Sequence, residues 1–162
     1  MSVAAVCPGS YDPITLGHLD VIERVASCFD RVVVAVVSNP NKQGLFTLDE
    51  RLSLIAEVTG HLDNVAIDQF SGLLVDYCVN TGVRTVVKGV RGIGDIEYEQ
   101  QMAAMNRQVG GVETLLMPTA AAYAHVSSSL VKEVARLGGS VEGTVPPPVA
   151  QALATRLAEQ AQ

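Results

Sequence analysis

The sequence predicts an α/β fold in which five strands form a parallel sheet covered by helices. Uncharged runs of β-branched residues, such as 31–37, are typical of strands that are buried on both faces. These runs alternate along the chain with segments whose apolar residues recur at helical spacing. The chain is 48% hydrophobic but only 4% aromatic, so Val, Leu, Ile and Ala must build most of the core. Its 162 residues are enough for one domain with its own core.

The first predicted strand, Val3 to Cys7, leads through a turn at Pro8-Gly9 into a helix that Thr15 can cap. The free backbone N–H groups at a helix start, together with the helix dipole, suit an anion such as phosphate. Gly17 lets a ligand approach the backbone, and His18 adds a donor beside it. A Gly-His pair alone indicates only a helix start, but this one follows the first strand, where open α/β sheets bind ligands.

The second predicted strand, 31–37, is followed by a polar loop, 38–46, that carries one cation, Lys42. A lysine in such a loop is solvated by default. This loop, however, leaves the carboxyl end of a strand that should lie next to the first strand. We therefore expect that Lys42 can reach the same crevice.

A capping box formed by Thr47 and Glu50 predicts a helix over about 47–60, whose role is structural. A third strand is predicted at about 65–69, followed by the third helix. Leu74 at the start of that helix either packs in the core or lines a site.

The fourth predicted strand begins at Thr85 and contains a lysine, Lys88. A charge in a buried strand is costly unless it is paired, so Lys88 requires an anionic partner. The loop after this strand carries Arg91 among several glycines, including Gly89, which permit close approach to the backbone. Asp95 is predicted to cap the fourth helix.

Two features argue against a dinucleotide-binding oxidoreductase. Gly92-Ile93-Gly94 follows a strand, but the third glycine position of the fingerprint holds Glu97. The strand ending at Val37 also lacks the acidic residue that binds a ribose in such enzymes.

The fourth helix and the segments after it contain further candidates. On spacing alone, Glu99 is as consistent with a solvated charge as with a ligand contact. Met102 and Met105 are predicted to lie in the core or in a subunit contact. A fifth strand, 112–117, precedes a helix start capped by Ser127, where a second phosphate could bind; a plain serine-rich cap is the alternative.

Composition excludes several classes of protein. Eleven Lys and Arg against 17 Asp and Glu give a net charge of -6, and without a basic run we expect no binding to nucleic acid or to an anionic membrane. We see neither a signal peptide nor an apolar run that could span a bilayer. Three distant cysteines fit buried free thiols better than disulfides or a protein-bound metal. A cytoplasmic location is expected.

Six motifs in this order and spacing strongly resemble the bacterial phosphopantetheine adenylyltransferase family of the nucleotidyltransferase superfamily. The resemblance covers nearly the whole chain and implies a single domain, 1–162, with a Rossmann-like five-stranded parallel sheet and helices on both faces. It implies that the segment from about 140 packs on this domain or on a neighbouring subunit. The motifs are Pro8 to His18, Phe46 to Arg51, Lys88 to Arg91, Glu97 to Glu99, Met105 to Arg107 and Ser127 to Ala135.

The resemblance implies transfer of the adenylyl group of ATP to 4'-phosphopantetheine, with Mg2+, to give dephospho-coenzyme A and pyrophosphate. It also implies a homohexamer and possible feedback inhibition by coenzyme A. The implied catalytic residues are His18, Lys42 and Arg91, and those that hold phosphopantetheine are Ser10, Lys42, Leu74 and Lys88. The implied contacts to ATP are Ser10, Tyr11, His18, Gly89, Val90, Arg91, Glu99, Tyr123, Ala124, His125, Val126, Ser127, Ser128 and Ser129.

The chain departs from the wider superfamily at several positions. Thr15 stands where many members have a first histidine, and Lys132 replaces an arginine; both changes are typical of the phosphopantetheine branch. Lys88 stands where many members have arginine, which exchanges a bidentate phosphate contact for a point charge. Ala124-His125 occupies the place of a serine and an aromatic residue.

Three other functions compete with this interpretation. The first is another small nucleotidyltransferase, such as one that adenylates nicotinate mononucleotide. The second is the NAD-dependent oxidoreductase that the missing glycine and acid disfavour. The third is a non-catalytic nucleotide sensor, which would be expected to have lost His18 or Arg91; the sequence retains both.

Overall fold

The computed structural model describes residues 3–39 and 43–160. Within them the chain alternates between strands and helices, as the sequence predicts. The elements are β1 Ala4–Gly9, α1 Leu16–Cys28, β2 Arg31–Val37, α2 Leu48–Thr59, β3 Val65–Phe70, α3 Leu74–Thr81, β4 Thr85–Val90, α4 Ile93–Gly110, β5 Glu113–Pro118, a 3-10 turn Ala121–Tyr123, α5 Ser128–Arg136 and α6 Pro147–Gln160.

The five strands form one parallel sheet in the order β3-β2-β1-β4-β5. From β1 the chain moves outward through β2 and β3, and then returns to place β4 and β5 on the other side. The order therefore reverses between β1 and β4, and a crevice opens beyond their carboxyl ends. The predicted five-stranded parallel sheet is confirmed.

Alternating side chains of the strands fill two cores, one on each face of the sheet. In β2, Val32, Val34 and Val36 belong to one core, while Val33 and Ala35 belong to the other. Helices cover both cores, as predicted. The first core contains Ile22 of α1, Ile55 of α2, Val131 of α5 and Leu153 of α6; the second contains Val75 and Cys78 of α3.

The strand β1 is longer than expected, because Pro8 and Gly9 continue it instead of ending it. They pair in parallel register with Ala35 and Val36 of β2. Proline has no N–H to donate to a neighbouring strand. The pairing of β1 with β4 is confined to Val6 and Val86, so Pro8 is not required to donate a hydrogen bond to β4.

The start of α4 also differs from the prediction. Gly92 is the N-cap, the helix begins at Ile93, and Asp95 lies in its first turn. No residue of α4 is buried, so Met102 and Met105 are not core residues. On α5 only Val131 is buried, and Cys28 is exposed, unlike the buried thiols of Cys7 and Cys78.

The last helix, α6, packs on the domain itself. Val149 and Leu153 are fully buried in the first core, and Arg156 donates to the carbonyl oxygen of Leu45 at 2.7 Å. None of the helices within the described residues is long and apolar enough to cross a lipid bilayer.

Candidate active site

Two adjoining cavities lie at the carboxyl ends of the strands, in the crevice where the strand order reverses. Their volumes are about 260 and 340 Å3, and both are lined by Tyr11, His18 and Ser128. Lys88, Arg91 and Ser127 line the first cavity. Ser10 and Ser129 line the second. The structure thus brings together many of the residues that the sequence predicted for one site.

His18 stands in the first turn of α1, between the two cavities. Thr15 caps this helix: its Oγ1 accepts from the backbone N–H of His18 at 3.3 Å, and its own N–H donates to His18 Nδ1 at 3.0 Å. Burial, followed by the positive charges of Arg91 and Lys88, lowers the pKa of His18 to about 4. At neutral pH the ring is therefore an uncharged hydrogen-bonding group.

Tyr11 supports the His18 ring from the turn after β1. Its backbone has a positive φ of 48°, a conformation that few non-glycine residues adopt. The phenol is buried, donates to the Cys7 carbonyl oxygen at 2.9 Å, and meets the imidazole edge-on with ring centroids 5.0 Å apart. This aromatic contact limits the positions that the His18 ring can adopt.

Lys88 has the anionic partner that its place in β4 requires. Its Nζ lies 3.1 Å from Glu99 Oε1, and the side chain of Glu99 is only 14% exposed. The helix α4 thereby supplies a counter-charge to a cation in a largely buried strand. Glu99 also lines the first cavity, so it is not a solvated surface charge, and its contact with a ligand stays a prediction.

Arg91 is held by the carboxylate of Asp95. Asp95 Oδ2 accepts from the backbone N–H of Arg91 at 2.9 Å and from Nε at 3.0 Å, and Oδ1 accepts from Nη2 at 3.3 Å. Arg91 Nη1 donates to the carbonyl oxygen of Val126 at 3.2 Å. The guanidinium therefore ties the loop after β4 to the segment before α5. Among residues 3–39 and 43–160, one N–H on each terminal nitrogen has no hydrogen-bond partner.

The serine motif opens α5. Ser127 is the N-cap and accepts from the backbone N–H of Leu130 at 3.2 Å, as the sequence predicted. Ser128 Oγ donates to the carbonyl oxygen of Pro13 at 2.8 Å, which joins this helix start to the turn before α1. Two helix N-termini, those of α1 and α5, thus border the same pair of cavities.

Some predicted residues lie elsewhere. Leu74 packs against the second core and does not line either cavity, Val90 is buried, and Tyr123, Ala124 and His125 lie in and just after the 3-10 turn, outside both linings. Tyr123 Cβ would be 3.5 Å from a Cβ at Gly17, so it backs the start of α1. Gly89 is a strand residue that lines the first cavity. Lys42 lies outside the described residues.

Sequence reasoning missed Asp12. Its carboxylate is buried, accepts from the backbone N–H groups of Leu45 and Phe46 at 2.9 Å each, and lies 2.9 Å from Lys132 Nζ. It also missed Arg51, whose Nη1 donates to the carbonyl oxygen of Ser10 at 2.7 Å. The position of Asp12 within the first motif, between Ser10 and Pro13, could have marked it as a candidate site residue. No local sequence pattern identifies its hydrogen-bond partners.

The side chains of the site do not form a metal-binding cluster of their own. Within residues 3–39 and 43–160 there is no group of three or more His, Cys, Asp and Glu side chains that could hold a metal ion. The acids that line the first cavity, Asp95 and Glu99, are each paired with a cation.

Comparison with known proteins identifies the family. Residues 6–134 match the model of the cytidylyltransferase-like family. The phosphopantetheine adenylyltransferase of Symbiobacterium thermophilum is 52% identical over 97% of this chain and 98% of its own. That of Streptomyces coelicolor is 54% identical over 94% of this chain and 96% of its own.

Two solved structures share the fold at low identity. A Vibrio parahaemolyticus protein described as a nicotinate-nucleotide adenylyltransferase has a TM-score of 0.66 at 18% identity, over 94% of this chain and 99% of its own. A lipopolysaccharide core biosynthesis protein of Thermoplasma volcanium has a TM-score of 0.54 at 19% identity, over 74% of this chain and 98% of its own. The family model and the two relatives that match nearly the whole chain show that the chain belongs to the phosphopantetheine adenylyltransferase family.

Proposed function

We propose that this enzyme transfers the adenylyl group of ATP to 4'-phosphopantetheine, giving dephospho-coenzyme A and pyrophosphate in coenzyme A biosynthesis. The observation that supports this most is the pair of cavities that meet at His18 and Ser128. A transferase must hold two phosphate-bearing substrates so that their phosphates face each other. Two helix N-termini and the side chains of Lys88 and Arg91 surround the place where they would meet.

The reaction is a single displacement at the α-phosphorus of ATP. A phosphate oxygen of phosphopantetheine forms a bond to this phosphorus, the bond to the α,β-bridging oxygen breaks, and pyrophosphate leaves with that electron pair. Negative charge spreads over the transferred group in the transition state, so the enzyme must position the substrates and stabilise charge. His18, the two helix N-termini, Lys88 and Arg91 are the groups proposed to do so.

No covalent intermediate is needed. Cys7 lines the first cavity, but burial raises its pKa to about 12, an effect that Lys88 only partly offsets, so the reactive thiolate is scarce at neutral pH. ATP made chiral at the α-phosphorus tests this point. A single displacement inverts the configuration, whereas an adenylyl-enzyme intermediate would preserve it.

Magnesium is proposed to enter as its complex with ATP. Mg2+ prefers oxygen ligands and is commonly held by substrate phosphates and water with few protein carboxylates. The paired state of Asp95 and Glu99 is in keeping with this mode of binding. When bound, the ion would neutralise part of the charge of the phosphates.

The remaining assignments follow the family resemblance and are proposals for this chain. Ser10, Lys42, Leu74 and Lys88 are proposed to hold phosphopantetheine, and the segment from Tyr123 to Ser129 to frame ATP. Leu74 and the residues from Tyr123 to His125 lie outside the linings of the two cavities, so they would contact parts of the substrates that extend beyond these cavities. Coenzyme A contains the same phosphopantetheine group and is proposed to inhibit by competing for its site. The enzyme is expected in the cytoplasm, for which its three free cysteines are suited.

We also propose a homo-oligomer, with a hexamer as the family expectation. No residue of α4 belongs to the core, and its exposed apolar residues suit contact with another copy of the chain. Light scattering on a Met105→Lys variant tests this, with a smaller particle expected; an unchanged mass would contradict a contact through α4. These exposed residues are Ile93, Ile96, Tyr98, Met102, Met105 and Val109.

The substrate test offers the enzyme ATP and Mg2+ with either 4'-phosphopantetheine or nicotinate mononucleotide, and identifies the products by mass spectrometry. Dephospho-coenzyme A from the first acceptor alone is expected. A product from nicotinate mononucleotide alone would support the rival nucleotidyltransferase. No product from either acceptor would favour a non-catalytic nucleotide sensor.

A further inference from the structure

Thr15, the N-cap of α1, makes a specific set of contacts with His18. Its backbone N–H donates to His18 Nδ1 at 3.0 Å. An amide N–H can only donate, so Nδ1 must present its lone pair to it. A proton on Nδ1 would be repelled by the amide proton, and the hydrogen bond would be lost.

The hydroxyl of Thr15 acts on the same nitrogen. Thr15 Oγ1 lies 3.1 Å from Nδ1 and accepts from the backbone N–H of His18, which leaves its own proton free to point toward Nδ1. Thr15 is only 1% exposed, so water cannot readily take over these contacts. The edge-on ring of Tyr11 opposes rotation of the imidazole that would exchange its two nitrogens.

The other ring nitrogen has no such contact. Within the part of the chain that the structure describes, Nε2 of His18 has no hydrogen-bond partner, and the residue lines both cavities. We propose that Thr15 is a positioning residue that fixes His18 in the Nε2–H form, so that the ring offers a hydrogen-bond donor to the transferred phosphoryl group. The part of this inference that concerns the phosphoryl group rests on the proposed function.

The first test observes the tautomer directly in the whole protein. Histidine labelled with 15N gives long-range 1H–15N spectra that distinguish the two neutral tautomers and the imidazolium, and His18→Gln assigns the signal among those of His61 and His125. Near neutral pH we expect protonated Nε2 and unprotonated Nδ1. A proton on Nδ1, rapid averaging of the two tautomers or an imidazolium would overturn the assignment.

The second test separates the hydroxyl from side-chain volume. Thr15→Val keeps the shape but removes the hydroxyl, whereas Thr15→Ser keeps it. We expect kcat to fall about tenfold in the valine variant, with little change in KM, because one of the two groups that hold Nδ1 is lost and a charge-stabilising donor is misplaced. Since the backbone N–H of residue 15 remains, the spectrum should show a larger share of the Nδ1–H form than in the wild type, with the Nε2–H form still the major one. The serine variant should restore both properties. Wild-type kcat and spectrum in Thr15→Val would overturn the role of the hydroxyl.

A third comparison holds even if Thr15→Val fails to fold. A glutamine amide can place its NH2 near the position of Nε2, whereas an asparagine amide reaches only that of Nδ1. His18→Gln should therefore retain at least about tenfold more kcat than His18→Asn; equal values would count against the Nε2 donor. If the wild-type enzyme makes no product from phosphopantetheine but shows the Nε2–H spectrum, the proposed function fails and the tautomer assignment stands.

Discussion

Lys132 Nζ lies 2.9 Å from Asp12 Oδ2, and this ion pair joins α5 to the turn that follows β1. The same carboxylate accepts the backbone N–H groups of Leu45 and Phe46. Asp12 thus fastens three separate segments around the second cavity. Burial alone would raise its pKa, but the N–H of Phe46, the ammonium of Lys132 and the N–H of Leu45 outweigh burial and lower it.

We expect Asp12→Asn to lower the free energy of unfolding by about 2–3 kcal/mol. The substitution removes the charge that Lys132 faces and weakens the two backbone hydrogen bonds to a buried side chain. Urea unfolding measures the loss. The matched control is Asp63→Asn, because Asp63 is exposed and should tolerate the change. Equal stability of the two variants would show that the Asp12 contacts contribute little.

Asp95 provides a second prediction, because its carboxylate orients Arg91 before any ligand binds. Asp95→Asn should raise KM for ATP about tenfold, since the long arginine side chain would then have to be ordered during binding. KM for phosphopantetheine should change much less. Glu97→Gln is the control on the same helix, because Glu97 is exposed. Equal changes in both KM values would indicate a general disturbance of α4.

The neutral state of His18 predicts how stability depends on pH. Its pKa is about 4 in the folded chain against an ordinary value of 6.5. Between these values the unfolded chain binds a proton that the folded chain does not, so stability rises with pH across this window and is lost as pH falls. Between pH 8 and pH 5 the wild type should therefore lose about 2 kcal/mol more than His18→Gln. Urea unfolding at both pH values measures the difference, and equal losses would show that His18 titrates normally.

The local features of this fold could be predicted from the sequence because they depend on neighbouring residues. Thr15, Thr47 and Ser127 cap their helices as expected, since each acts on a backbone N–H three residues further on. The prediction that Asp95 caps α4 is wrong, for a physical reason. Asp95 uses its carboxylate to bind Arg91, and Gly92 takes the N-cap position.

The contacts across the site could not be predicted in the same way. Asp12 and Lys132 are 120 positions apart, and only the packing of α5 against the turn after β1 brings them together. The charge of Lys88 indicated a partner, but only the structure identifies Glu99 as that partner. The length of β1 depended likewise on its pairing with β2, which continues through Pro8 and Gly9.

The most direct measurement for the central role of His18 is pyrophosphate release from ATP, Mg2+ and 4'-phosphopantetheine, compared between the wild type and His18→Ala. We predict that the variant keeps its fold, as circular dichroism can verify, while kcat falls by at least about 100-fold, because the transferred phosphoryl group loses a positioned donor. A folded variant that releases pyrophosphate within a few fold of the wild-type rate would contradict the account.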